Sequence, residues 1–164
     1  MKKIFMVLVL SLMLLSPLVV SSEFPILDKQ GETRKAHFAW LTAVQEVRMQ
    51  GAIEYINTIS SGQGTSGLST LVTDFQDQSS TIQTFTTHVA LDVAIQQLQQ
   101  TATRFRTEMR SQMTAYHGMP RDLQNQVQTT LNGNATMLTA LENTYWETRE
   151  TNELFIFDTR VTRA

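Results

Sequence analysis

Between Leu68 and Tyr116 the chain runs about 50 residues without a glycine or a proline, and this run constrains the fold more than any other feature. A chain of many short strands would need turn residues about every ten positions, so a run this long reads as helix. Two punctuated stretches bound it. "SSGQGTSG", Ser60 to Gly67, carries three glycines among serines. "HGMP", His117 to Pro120, places Gly118 to cap one helix and Pro120 to open the next. Flanking segments of about 28 and 40 residues also lack proline, with interior glycines at Gly51 and Gly133. The expected fold is all-α, an elongated bundle of three long helices.

Steps of 100° per residue show which face each helix buries. Leu68, Leu71, Phe75, Ile82, Phe85 and Val89 fall on one stripe. Leu91, Ile95, Leu98, Ala102, Phe105, Met109, Met113 and Tyr116 fall on another, roughly opposite. An unbroken helix would therefore change partners near His88. Phe85 would pack on the segment before Ser60, and Phe105 on the segment after Pro120. The alternative is a compact four-helix bundle with a break near residues 85–89, where Thr86 and Thr87 disfavour helix mildly. In the last segment Leu123, Val127, Leu131, Leu138, Leu141 and Tyr145 form a stripe; Leu154, Phe157 and Val161 lie to another side. The first segment is apolar over about half its circumference, including Trp40, Leu41, Val47, Tyr55 and Ile56, and should be the most buried.

The N-terminus has the three parts of a secretory signal peptide. Lys2 and Lys3 precede an apolar run from Ile4 to Leu15, and Pro17 leads into a small-residue ending at Ser22. Residues 1–22 are read as this signal and 23–164 as a single helical domain, placed in the periplasm or outside the cell. No later run is apolar enough to span a membrane, so no stable span is expected after cleavage. Without Lys2 and Lys3, 11 basic residues face 15 acidic ones, and no basic stripe points to nucleic acid. The absence of cysteine removes disulfides, thiolate metal sites and cysteine nucleophiles together.

The one titratable pair inside an apolar run is His88 with Asp92, four residues apart in "TIQTFTTHVALDVAIQQLQQ". Catalysis would need a nucleophile or metal beside it, and no recognisable motif supplies one. Glu-x-x-His repeats, HExxH, an EF-hand loop, GxSxG and a Walker loop are all absent. Gly62, Gly64 and Gly67 spell G-x-G-x-x-G, but no strand precedes them, so they read as a turn. The pair reads as structural, and no catalytic, cofactor or metal residue is assigned. Asn134-Ala-Thr136 matches the acceptor pattern for N-glycosylation. Trp40, Leu41, Tyr55, Phe85 and Phe105 are the candidate partner-contact or packing residues.

"LTAVQ", Leu41 to Gln45, resembles the LTxxQ motif of the Spy/CpxP family of periplasmic stress chaperones, and "LTALE", Leu138 to Glu142, resembles a degenerate second copy. The resemblance implies an all-helical chaperone with no catalytic centre. From the residues themselves, the chain reads as a secreted, non-enzymatic protein acting through helix-surface contacts. Its expected partner is another protein or further copies of itself. A Spy/CpxP-like extracytoplasmic chaperone is the first alternative. A small-molecule sensor or binding bundle around Trp40 and Tyr55 is the second.

Overall fold

The computed structural model describes the backbone of residues 29–161 and the side chains of residues 29–154. The signal-peptide reading of residues 1–22 and the side chains of Phe157 and Val161 lie outside the described residues. Five α-helices and no strand are present among the described residues. They are α1 (Lys29–Ile59), α2 (Ser66–Ser80), α3 (His88–Ala115), α4 (Pro120–Gly133) and α5 (Ala135–Val161). A short 3-10 helix, Thr81–Thr84, follows α2. The all-α expectation holds.

Three unbroken helices do not form, because the run from Leu68 to Tyr116 is interrupted. The cause is a cluster of hydroxyl side chains. Ser79, Ser80, Thr81 and Thr84 each donate to the carbonyl three residues back, at 3.0, 2.8, 2.8 and 2.7 Å. Such bonds compete with the helical ladder and tighten it into 3-10 geometry. Phe85 then turns extended, with φ −72° and ψ 137°. Thr87, also extended, caps α3 by accepting from the Ala90 N–H at 3.2 Å. The break thus falls at residues 81–87, starting a turn before the stretch that β-branching marks.

The reversal also removes the switch of faces. With the chain folded back, both stripes point into one core: Leu68, Val72, Phe75 and Ile82 meet Leu91, Ile95, Leu98, Phe105 and Met109. Phe105 is buried and Phe85 partly buried against that same cluster. The expected partner of Phe105 is accordingly corrected: α3 packs on α2 and α1, not on α4. Val89, read as the end of the first stripe, is exposed because the break precedes it.

Helix α1 touches every other helix, and between Gly31 and Ile56 only Glu32 and Glu54 are exposed. The expectation that this segment is the most buried holds. Its end is a left-handed turn in which Ser61 has φ 54° and the Gly62 N–H donates to the Asn57 carbonyl at 2.9 Å. The end of α3 repeats the device, with φ 53° at His117 and a Gly118 N–H bond to the Met113 carbonyl at 2.8 Å. The left-handed residue is thus His117. Gly118 sits close beside α1: a Cβ there would lie 2.8 Å from Ile59 Cδ1 and 2.7 Å from Met113 Sδ, so the ends of those two side chains would have to shift.

Pro120 opens α4 as expected. Helices α4 and α5 then follow α1 in succession, antiparallel to it, with only Asn134 between them. The Leu138 N–H donates to the Asn134 carbonyl at 3.1 Å, so helix resumes at once. Gly51 sets the approach of α4: a Cβ there would lie 3.0 Å from Val127 Cα. Close approach of two helix backbones is what this glycine provides.

Candidate functional site

The surfaces that carry chemistry lie where α1 meets α5 and where α1 meets the start of α3. At the first, His37 and Trp40 sit one turn apart on α1, and Tyr145 of α5 reaches between them. The Tyr145 ring stacks on His37 at 4.7 Å between centroids and lies nearly parallel to Trp40 at 6.1 Å, with 9° between planes. Trp146 tilts against Tyr145 at 4.9 Å, and the Arg149 guanidinium lies 5.2 Å from the Trp146 ring. Aromatic pairs at these separations each add about 0.5–1.5 kcal/mol beyond area burial. Burial lowers the His37 pKa below its ordinary value. This favours the neutral imidazole, which stacks without carrying a charge between rings.

The stack is a ledge, not a sealed core. Trp40, His37 and Tyr145 are half-buried, while Trp146 is 43% exposed. Arg149 is held beside it by Glu153, whose Oε1 accepts from Nε at 2.7 Å. Just beyond the ledge, buried Asn152 donates to the Lys29 carbonyl and to Thr33 Oγ1, each at 2.7 Å. Those bonds fasten α5 to the first turns of α1.

At the second junction Arg34 of α1 binds both residues of the His88–Asp92 pair. Its Nη2 donates to Asp92 Oδ1 at 2.5 Å and its Nη1 to His88 Nδ1 at 3.3 Å. A guanidinium has no acceptor, so Nδ1 accepts in this contact. Lys35, buried next door, donates to the Gln83 carbonyl and to Glu32 Oε1, each at 3.3 Å. Arg34 and Lys35 therefore hold the 81–88 corner against α1. Their role could not be seen from the pair's own spacing, because the third member is 54 residues away.

The remaining candidates are dispersed. Tyr55 faces the α3–α4 corner, where its hydroxyl accepts from the Met119 N–H at 2.7 Å. It lies about 22 Å along α1 from Trp40 at 1.5 Å per residue, so the two do not share a site. Leu41 is half-buried within α1, and Phe85 and Phe105 belong to the core. At the α4–α5 junction Asn134 is half-buried, its Nδ2 donating to the Thr130 carbonyl at 2.8 Å. A shallow, solvent-open depression on α3 is lined by glutamines, Thr103 and Arg104. Among the described residues no three His, Asp or Glu side chains gather as metal ligands, and no helix is long and apolar enough to cross a membrane.

No protein-family model, curated protein or solved structure matches this chain. The LTxxQ resemblance of Leu41 to Gln45 therefore stands on those residues alone, and both copies lie inside helices, α1 and α5.

Proposed function

We propose that this chain is a non-catalytic binding module that works outside the cytoplasmic membrane through helix-surface contacts, with the outer face of α5 as a principal contact. The supporting observation is the open aromatic ledge. A tryptophan 43% exposed, backed by stacked rings and edged by an arginine, has the composition of an interface anchor, where Trp, Tyr and Arg carry most of the binding energy. The rings are held from behind by α1, so a partner would meet a preformed surface and little ordering cost would oppose binding.

The test is site-specific photo-crosslinking in the source cells. A photoreactive residue at Asn143, Trp146 or Leu154, all exposed on α5, should give discrete protein adducts. Exposed control positions on α2, Ser69 and Thr73, should give none. Equal adducts from both helices, or none from α5, would refute the contact.

A further inference from the structure

The outer faces of α3 and α5 carry matching patterns. On α3, Val89, Val93, Gln96, Gln100, Thr103 and Thr107 alternate in steps of four and three residues, and every one is exposed. These residues share one helix face, polar except for Val89 and Val93, and it lies opposite the buried stripe that contains Leu91, Ile95 and Phe105. On α5, Thr139, Asn143, Trp146 and Glu150 repeat the same steps and are likewise exposed. Both helices thus present a second seam that the fold itself leaves uncovered.

Charge distinguishes the two seams. Arg104 and Arg110 flank the α3 seam, with Arg106 near enough that the charge of Arg110, after burial, lowers its pKa. Only Glu108 opposes these three arginines within that stretch. Alongside the α5 seam stand Glu147, Glu150 and Glu153, all exposed; Glu153 and Arg149 pair with each other, which leaves Glu147 and Glu150 as the net charge. The exposed face of α3 in this stretch is thus basic and that of α5 acidic.

We propose that the α3 seam of one copy docks on the α5 seam of another. The proposal rests on the contact reading of α5 above and identifies its partner as a second copy of this chain. Unlike surfaces pair in this contact, so each copy carries one half of it on either side of α1. Association of this kind extends from copy to copy unless a ring closes. Opposite charges set the register and speed the encounter, whereas two copies of the same seam repel. The apolar contribution comes from Trp146 and Leu154, both exposed on α5; Val89 and Val93, 15 and 11 residues before Arg104, lie outside the charged stretch.

Sedimentation velocity of the purified chain tests this by charge exchange. The average mass of the wild type should rise with concentration at about 50 mM salt and fall again at about 500 mM, where exposed charges are screened. Arg104→Glu with Arg110→Glu should weaken self-association at least tenfold, as should Glu147→Arg with Glu150→Arg, since each leaves like charges facing. An equimolar mixture of the two variants should recover it, because every seam then has an opposite partner. Circular dichroism checks that each variant keeps its helicity; Arg104→Gln with Arg110→Gln replaces a reversed form that does not. A wild type that stays monomeric across the range overturns the proposal. So does association indifferent to reversal of the α3 arginines. If that association is nonetheless lost in Trp146→Asp, α5 remains a contact face and only its partner surface is wrong. If Trp146→Asp is silent too, the contact reading falls with it.

Discussion

The two sides of α1 are held in different ways. Against α2 and α3 the contact is an aliphatic core: Leu68, Ile82 and Leu91 are fully buried, and Phe75 and Phe105 nearly so. Against α4 and α5 the contact is longer but shallower, with Leu123 the buried apolar residue of α4 and Asn152 a buried polar one on α5. There the joints are a glycine, half-buried rings and hydrogen bonds. Free energy of folding follows buried apolar area, so the α2–α3 side dominates stability. The α4–α5 side fixes position while leaving aromatic surface in water. The first is a core and the second a shallower joint that leaves Trp146 exposed.

The difference predicts unequal responses to substitution. Phe105→Ala empties the core side and should cost about 3–5 kcal/mol, read as a loss of denaturation midpoint in urea. Phe85→Ala should cost clearly less, because Phe85 is only partly buried. An equal loss at the two sites would mean that the corner at residues 81–87 is packed as tightly as the core.

Gly51→Leu attacks the other side. Its side chain would run into the Val127 backbone and Thr130, and overpacking of this kind costs about 1–3 kcal/mol. Hydrogen exchange should quicken in α4 and α5 and stay slow in α2 and α3. Uniform quickening would show that the two sides unfold as one unit.

Arg34→Ala should cost on the order of 1–3 kcal/mol, since it strips a partly buried carboxylate of a charged hydrogen bond. Amides at the start of α3 should lose protection before any others. Arg34→Lys should restore only part, because lysine lacks the fork that reaches Asp92 and His88 together. Full rescue by lysine would reduce the clamp to a simple charge pair.

A smaller effect is expected from pH. The folded-state pKa of His37 is depressed by burial, so the unfolded chain binds a proton more readily. Stability from this group is full above the ordinary histidine pKa near 6.5 and is lost as pH falls through the folded value. The His37→Phe variant should therefore lose less stability on acidification below about pH 6.5 than the wild type. An unchanged pH profile would place His37 in water.

Much of the fold was legible in the sequence. The glycine and proline corners, the apolar stripes and the central burial of the first segment follow from periodicity and from the turn residues. The break at residues 81–87 was not legible from β-branching alone. Its signal was the run of hydroxyls at Ser79, Ser80, Thr81 and Thr84, which act on the backbone and not on the hydrophobic pattern. Reading that run as helix turned two stripes of one core into opposite faces. The His88–Asp92 spacing was visible, but the guanidinium that organises it comes from a distant helix. The ledge was half-legible: Trp40 and Tyr145 stood out, whereas stacking across α1 and α5 depends on the register of those helices.

The smallest effect on folding is expected at Trp146. Its truncation to Ala should cost about 0.5–1.5 kcal/mol, the worth of its ring contact with Tyr145, while weakening association. A larger loss would make the ledge part of the core.

Trp40 and Trp146 are the two tryptophans of the chain, so Trp40→Phe leaves Trp146 as the sole reporter of the α5 face. Its emission and its quenching by acrylamide should be followed as protein concentration rises at low salt. If the outer face of α5 receives a second copy, emission shifts to the blue, quenching falls, and added salt reverses both. Emission that stays that of an exposed indole over the whole range, while the sedimenting mass rises, would contradict it.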